Sequence, residues 1–241
     1  MARLAVVTGG TRGIGAEISK TLARAGHVVV AIYARNDDAA QRFNDETGCL
    51  IRRWDVSSAE ACEEGMGRLS AEIGHCDILV NNAGINSDNS LLRMQPRQWN
   101  EVMATNTGGC FNMTKSVFGK MKERRFGRII HIGSVVGRAG AIGVSNYVAS
   151  KAAINGLSKA IAMEGAPFGI TSNVVEPGYI DAGLIKNVPD KILDRIRQNI
   201  PVGRLGTPEE VAHAVMFLAD EKAAFITGVN LMVNGGHHLG V

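Results

Sequence analysis

Short apolar runs alternate along this chain with longer, helix-sized segments, and this alternation constrains the fold more than any other feature. The apolar runs include 4–8, 27–33, 77–84, 127–134, 170–178 and 229–236. Helix-sized segments between them include 14–25, 96–124, 147–166 and 207–219. Near-continuous apolar strands are typical of a parallel sheet covered on both faces, and β-α-β alternation predicts a doubly wound sheet. We therefore expect a single α/β domain that spans residues 1–241.

Composition excludes several classes of function. The net charge of +3 over 241 residues is too small to predict nucleic-acid binding. The N-terminal apolar run is too short for a secretory signal, and no stretch approaches the roughly 20 apolar residues of a membrane span. We expect a cytoplasmic protein with neither nucleic acid nor membrane as a partner.

Cysteine and histidine spacing predicts no metal site. The four cysteines form no C-x-x-C pair, and no histidine cluster completes a zinc pattern. His237 and His238 are adjacent, so on a strand they would point in different directions. We expect reduced structural thiols and no bound metal.

A glycine-rich turn follows the first apolar run, in the sequence TGGTRGIG. Glycines let a backbone turn approach a pyrophosphate, and the helix that follows presents free N–H groups and its positive dipole end. A phosphate-loop NTPase would need G-K-[ST], which is missing here. A purely structural turn is the alternative, but the position between a strand and a helix favours a dinucleotide site. The residues expected to line it are Gly9, Thr11, Arg12, Gly13, Ile14 and Gly15.

The end of the second apolar run bears on which dinucleotide binds. NAD sites usually carry an acid about 20 residues beyond the glycines, whereas this run ends in Ala34 and Arg35. Arg35 and Arg12 would match a 2′-phosphate. The sequence therefore favours NADP (NADPH/NADP+), with NAD as the alternative because Asp37 and Asp38 lie close by.

Tyr147 and Lys151 are four residues apart in a predicted helix, so their side chains are neighbours on its surface. Tyrosine is a poor acid or base at neutral pH because its reference pKa is about 10, and a nearby cation favours the phenolate. This pairing indicates proton transfer to or from a substrate oxygen. Ser134, at the end of a predicted strand, can donate a hydrogen bond to the same oxygen.

These residues and their order resemble the classical short-chain dehydrogenase/reductase family over essentially the whole chain. The motifs are T-G-x-x-x-G-x-G at 8–15, N-N-A-G at 81–84, Asn106, Ser134, Y-x-x-x-K at 147–151 and P-G at 177–178. The resemblance implies a Rossmann-like fold, a nicotinamide cofactor and a tyrosine-based proton transfer. The catalytic residues that it implies are Asn106, Ser134, Tyr147 and Lys151.

The resemblance also implies roles for individual residues. Lys151 would bind the nicotinamide ribose, and Asn106 would hold a water that links Lys151 to solvent. Besides the glycine turn and Arg35, the cofactor residues implied are Asp55, Val56, Asn82, Ala83, Gly84, Tyr147, Lys151, Pro177, Gly178 and Ile180. The substrate residues implied are Asp88, Ser134, Ala141, Val144, Tyr147, Gly178 and Tyr179.

Within that family the chain most resembles reductases of 3-ketoacyl thioesters. Two groups compete: acetoacetyl-CoA reductases of polyhydroxybutyrate synthesis, slightly favoured, and 3-oxoacyl-[acyl-carrier-protein] reductases of fatty-acid synthesis. Carrier-protein reductases tend to have basic residues near the mouth of the site. Arg125 matches one such position, but Phe168 occupies the other, which favours an acyl-CoA over an acyl-carrier-protein substrate.

Two departures from the family pattern, one further expectation and two alternative functions accompany the resemblance. Ala182 stands where the family usually has threonine, and the 138–144 loop is more apolar than in acetoacetyl-CoA reductases. The resemblance implies a homotetramer. The alternatives are a reductase of another alcohol or ketone, such as a sugar or sterol, and a nicotinamide-binding regulator without turnover.

Overall fold

The sheet is built from parallel strands. The computed structural model describes residues 2–183, 185 and 188–238. Within those residues the strands are β1 (Leu4–Thr8), β2 (Val28–Tyr33), β3 (Leu50–Arg53), β4 (Ile78–Asn81), β5 (Gly127–Ile132), β6 (Ile170–Pro177) and β7 (Asn230–Val233).

Helices connect these strands. They are α1 (Gly13–Arg24), α2 (Asp37–Thr47), α3 (Ala59–Glu72), α4 (Pro96–Met103), α5 (Gly109–Arg124), α6 (Val136–Ala139), α7 (Ser145–Gly165), α8 (Asp190–Gln198) and α9 (Pro208–Ala219). A π-helical turn, Ala104–Gly108, joins α4 to α5.

The strand order is β3-β2-β1-β4-β5-β6-β7, and every pairing of neighbours is parallel. The order reverses between β1 and β4, because the chain builds outward first on one side of β1 and then on the other. Such a reversal opens a crevice beyond the carboxyl ends of the strands. The expected Rossmann-like, doubly wound α/β fold is confirmed.

Each face of the sheet buries its own core. Along β1, Ala5 and Val7 pack with residues of α1 and α9, whereas Leu4 and Val6 pack with residues of α3 and α5. This division follows from the alternation of side chains along a strand. Burial of each such Leu or Val side chain contributes about 1.5–3 kcal/mol, and it holds the carboxyl edge of the sheet in place.

Two elements differ from the sequence-based expectation. The segment 96–124 is not one regular helix, because the π-helical turn interrupts it. β3 lies outside the apolar runs named above, since two arginines follow its leucine and isoleucine and it is only partly buried at the sheet edge.

The start of α9 forms a capping box, for which the sequence Thr-Pro-Glu-Glu at 207–210 is typical. The Thr207 hydroxyl accepts a hydrogen bond from the Glu210 amide (3.3 Å), and the Glu210 carboxylate accepts one from the Thr207 amide (2.8 Å). Pro208 occupies the first helical position, where its missing N–H has no helical partner to lose.

We predict that Thr207→Ala lowers the free energy of unfolding by about 1 kcal/mol, because it removes the side-chain half of this cap. Urea denaturation followed by circular dichroism measures the change. Thr207→Ser keeps the hydroxyl and serves as the control. Equal stability of the Ala and Ser variants would contradict the capping role.

Candidate active site

The glycine turn lies where the strand order reverses, directly after β1. Gly9 has φ of +61°, a conformation that glycine adopts without strain. A Cβ on Gly15 would lie 2.1 Å from the Gly9 carbonyl oxygen, so no larger residue fits there. The turn therefore requires glycine at both positions.

The N-terminus of α1 is free to receive an anion. The helix begins at Gly13, and no described side chain caps its first turn. Its exposed amide groups and positive dipole end suit a phosphate, so this turn fits the pyrophosphate of a dinucleotide. Thr11, Arg12 and Ile14 belong to the same turn.

Hydrogen bonds to the Thr8 side chain join the end of β1 to the segment after β4. The buried Thr8 hydroxyl accepts hydrogen bonds from the amides of Asn82 and Ala83, both 2.9 Å long. The Asn82 side chain returns hydrogen bonds to the carbonyls of Thr8 (2.9 Å) and Gly9 (3.2 Å). These contacts bring the N-N-A-G segment against the glycine turn.

The tip of β2 carries Arg35, which is exposed. The nearby Asp37 carboxylate is already engaged: it accepts hydrogen bonds from the Tyr33 hydroxyl and from Arg53, each at 2.9 Å. Each of the two Asp37 oxygens therefore already has one hydrogen-bond donor. Arg35 presents its exposed guanidinium at the tip of β2.

Asp55 and Val56, which the sequence suggests as the end of the third strand, lie just beyond β3, which ends at Arg53. The Asp55 carboxylate accepts hydrogen bonds from the Ser57 amide (2.9 Å) and hydroxyl (2.8 Å). Val56 is buried, and its carbonyl accepts a hydrogen bond from Asn112 (3.0 Å). Both are thus held in a fixed turn beside the crevice.

Lys151 is a buried cation at the centre of the site, with 4% of its surface exposed. Its Nζ donates a 2.7 Å hydrogen bond to the Ile132 carbonyl at the end of β5 and lies 5.5 Å from the centre of the Tyr147 ring. Tyr147 is half-buried. The predicted i, i+4 neighbourhood of these side chains is confirmed.

Lys151 carries the positive charge of this region, because the buried histidine beside Ile132 is neutral. His131, the residue before Ile132, is fully buried, and burial and then the charge of Lys151 lower its pKa to about 3. His131 is therefore neutral at physiological pH, and its ring contacts the side chains of Asn81 and Ser172 instead.

Asn106 lies in the π-helical turn and is fully buried. It accepts a hydrogen bond from the Ile85 amide (2.8 Å) and donates to the Ile85 carbonyl (3.1 Å) and the Ser150 hydroxyl (3.0 Å). A Cβ on Gly84 would lie 3.3 Å from Asn106 Oδ1 and 3.7 Å from Lys151 Nζ. Asn106, Gly84 and Lys151 therefore converge on one region. Single π-helical turns of this kind are frequent at functional sites.

Ser134 follows β5 by two residues and is half-buried. Its hydroxyl accepts a long, 3.4 Å hydrogen bond from the Val136 amide, which leaves its proton free to be donated elsewhere. α6 begins directly after it, and a short loop then leads to Tyr147 on α7. The segment thus connects the two predicted oxygen-binding groups.

The end of β6 places Pro177 and Gly178 at the same edge of the sheet. The Gly178 amide donates to the Val233 carbonyl at 3.0 Å, and a Cβ on Gly178 would lie 2.9 Å from Asn234. Ile180 is buried and Tyr179 is 38% exposed. Ala182, where the family usually has threonine, packs against the α1–α9 core.

Three of the predicted substrate residues, Asp88, Ala141 and Val144, lie on two loops that contact each other. Asp88 and Ala141 are exposed, and Val144 is half-buried. The Asn89 amide donates a 2.9 Å hydrogen bond to the Gly143 carbonyl, and Asn89 forms a parallel bridge with Val144. These loops therefore form one rim beside Tyr147.

Arg125 does not lie near the mouth of this site within one chain, contrary to the expectation. It precedes β5, whereas Ser134 follows it, and a six-residue strand separates its ends by roughly 20 Å. Arg125 instead donates to the Pro167 carbonyl at 2.9 Å. Beside it, the Lys122 ammonium lies 4.3 Å from the centre of the Phe168 ring.

Three supporting residues were not predicted from the sequence: Thr8, Asn146 and Ser150. Asn146 is fully buried and accepts the Tyr147 amide (2.8 Å) while donating to the Ser87 carbonyl (2.9 Å). Ser150 joins Asn106 to the Tyr147 carbonyl. For Asn146 and Ser150 the sequence did contain a signal, because each is a polar residue directly before Tyr147 or Lys151 on the inward side of the helix.

A family model described as Enoyl-(Acyl carrier protein) reductase matches residues 9–238. The chain is 52% identical to "Acetoacetyl-CoA reductase" of Shinella zoogloeoides, over 98% of both chains. The chain belongs to the short-chain dehydrogenase/reductase family. It is also 51% identical to "Acetoacetyl-CoA reductase" of Rhizobium meliloti (strain 1021), over 99% of both chains. With "3-oxoacyl-[acyl-carrier-protein] reductase FabG" of Escherichia coli (strain K12) it shares 43% identity over 98% of both.

Membership makes the protein an oxidoreductase that uses a nicotinamide cofactor. The four cysteines are buried and free. Across the described ranges, no three or more His, Cys, Asp or Glu side chains form a group that could hold a metal ion, and no helix is long and apolar enough to cross a membrane.

We predict that Gly15→Ala abolishes detectable binding of nicotinamide dinucleotides, because its Cβ overlaps the Gly9 carbonyl and forces the turn to shift. Fluorescence titration with NADPH and with NADH measures binding. Gly67→Ala on α3, where a Cβ would meet nothing within 4 Å, is the matched control. Unchanged binding in Gly15→Ala would contradict the assignment of this turn.

Proposed function

We propose that the protein reduces a 3-ketoacyl thioester with NADPH, and that its substrate is acetoacetyl-CoA and its product (R)-3-hydroxybutyryl-CoA. The observation that carries this proposal is the position of Lys151, which is bonded to the end of β5 and lies beside Tyr147 and, near Gly84, beside Asn106. Ser134 follows two residues after that strand end. Two relatives about half identical to the chain are named acetoacetyl-CoA reductases, which supports the choice of substrate.

A bound nicotinamide supplies the hydride for this reduction. Ser134 donates a hydrogen bond to the ketone oxygen and polarises it. Tyr147 gives its phenolic proton to the same oxygen as negative charge develops there. Two hydroxyl groups, one from the segment after β5 and one from α7, would thus contact the same oxygen.

Lys151 supports this proton transfer. An ammonium group has three donors, and the Ile132 carbonyl fixes one of them. The remaining donors are available to ribose hydroxyls, and the positive charge favours the phenolate that Tyr147 becomes. Asn106 and Lys151 both lie close to Gly84. In this proposal, Asn106 holds a water near Lys151, and that water returns the proton.

NADPH is favoured over NADH at the tip of β2. Arg35 at that tip and Arg12 in the glycine turn are both exposed, and a guanidinium matches a phosphate well. Asp37, one of the two acids that kept NAD as an alternative beside Asp38, accepts hydrogen bonds from Tyr33 and Arg53. These contacts support a 2′-phosphate site.

An acyl-carrier-protein substrate is the second candidate. The relatives named FabG share 41–43% identity, and Lys122 over the Phe168 ring supplies positive charge beside Arg125. This patch lies at the opposite edge of the sheet from Tyr147, so within one chain it would contact the surface of a carrier protein rather than the reacting thioester. The higher identity to the CoA reductases favours acyl-CoA.

A homotetramer and a cytoplasmic location remain predictions. Trp99 on α4, Phe111 on α5 and Met163 on α7 are 39%, 51% and 80% exposed, and large apolar side chains on helix surfaces suit burial between subunits.

Tyr147→Phe should lower kcat for acetoacetyl-CoA about 10²- to 10⁴-fold, the usual loss when a general acid is removed. The dissociation constant of NADPH should change little, since the ring and Lys151 remain. Steady-state kinetics and fluorescence titration measure the two quantities. A variant that keeps near-full turnover would refute the role of Tyr147.

Arg35→Ala should weaken NADPH binding far more than NADH binding, because only NADPH carries the 2′-phosphate. The control is Arg42→Ala on α2, an exposed arginine away from the strand tip, which should leave both dissociation constants unchanged. Equal losses for the two cofactors in Arg35→Ala would contradict the 2′-phosphate site.

A further inference from the structure

Glu176 is a charged residue in the interior of the sheet that the mechanism above does not use. It lies next to the end of β6, and its side chain is 0% exposed. Fully buried carboxylates are rare unless they are paired, because removing a charge from water is costly. The contacts of Glu176 therefore show what holds this charge in place.

Three elements around the active site meet at the Glu176 carboxylate. Its Oε1 accepts hydrogen bonds of 2.9 Å from Asn155 on α7 and from Asn230 on β7. Asn155 lies one helical turn beyond Lys151. The Oε2 atom lies 2.9 Å from Nε of Arg138, on α6. Oε2 accepts no aligned hydrogen bond among the described residues, so the contact with Arg138 is ionic.

Arg138 belongs to the segment that joins Ser134 to Tyr147. α6 begins two residues after Ser134, and the loop beyond it leads to α7. The side chain of Arg138 is 34% exposed and reaches inward to the buried acid. One ion pair therefore fastens the Ser134–Tyr147 connection to the sheet.

Close packing fixes the same segment from its other sides. A Cβ on Gly137 would lie 3.0 Å from the Lys151 carbonyl carbon and the Ala152 amide, so α6 already touches α7. A Cβ on Gly133 would lie 3.2 Å from Cγ of Glu176. The stem of Glu176 therefore lies directly beside the residue that precedes Ser134.

We infer that Glu176 and Arg138 form a positioning pair that holds Ser134 within reach of the oxygen that Tyr147 protonates. Packing prevents α6 from moving toward α7, and the ion pair prevents it from lifting off the sheet. A displacement of about 1 Å in a reacting geometry can cost about 100-fold in rate. The effect on catalysis rests on the proposed function, whereas the effect on the position of α6 does not.

The test uses Arg138→Met, Glu176→Gln and the double variant. Gln keeps an acceptor oxygen for Asn155 and Asn230, removes the charge and places an amide NH2 group where Oε2 faces Arg138. Each single variant should lower kcat about 10- to 100-fold, with the NADPH dissociation constant within about twofold. The double variant should be no slower than the slower single, because the two residues act as one unit. Arg138→Lys should recover part of the loss.

Arg52→Met is the matched control. It breaks another Arg–Glu pair, 2.7 Å to Glu72 on α3, whose side chains are 39% and 50% exposed. It should leave kcat unchanged. If the singles lost only stability, kcat per folded protein would stay within about twofold of wild type, and the positioning role would be overturned.

Amide hydrogen exchange tests the pair without any substrate. Residues 133–140 should exchange faster in both singles than in the wild type, whereas α3 should not change. Unchanged exchange in 133–140 overturns the inference even if kcat falls. If the wild type reduces no acetoacetyl thioester, the proposed function fails, and the exchange result alone decides the role of the pair.

Discussion

The site depends on one hydrogen bond, from the buried ammonium of Lys151 to the Ile132 carbonyl at the end of β5. A cation with 4% exposure is costly unless its donors are bound, so this bond fixes both the lysine and the helix that carries it. Tyr147, one turn earlier on α7, is thereby placed beside the carboxyl edge of the sheet. Ser134 emerges from the same strand end. The proposed proton donor, Tyr147, and the proposed oxygen-polarising group, Ser134, are thus both positioned by the end of β5.

The cofactor half of the crevice is assembled by the same kind of contact. Thr8 accepts two backbone amides from the segment after β4, and Gly15 leaves no space between α1 and the glycine turn. Gly84 then brings this segment within reach of Lys151 and Asn106. Backbone groups at the reversal of strand order therefore connect the glycine turn to the proposed catalytic residues. Through Arg138, Glu176 holds the Ser134 segment against the sheet.

Much of this arrangement was predictable from the sequence, and the failures have physical causes. The β1 run, the Thr207 cap and the Tyr147–Lys151 spacing are local patterns, which periodicity and capping chemistry reveal. β3 was harder because an edge strand with two arginines has a weak apolar pattern. The ion pair of Arg138 with Glu176 joins residues far apart in sequence, as does the bond of Asn106 to Ser150. The motif around Arg125 predicted a position near the mouth of the site. The direction of β5 instead places Arg125 at the opposite edge of the sheet within one chain.

The most direct test compares kcat/KM for acetoacetyl-CoA and acetoacetyl-carrier protein in the wild-type protein, followed by the loss of NADPH absorbance. We expect turnover of both thioesters, with kcat/KM at least about tenfold higher for acetoacetyl-CoA. That ratio corresponds to about 1.4 kcal/mol in transition-state free energy. A preference for the carrier protein would contradict the choice of acyl-CoA. Failure to reduce either thioester would contradict the proposed function itself.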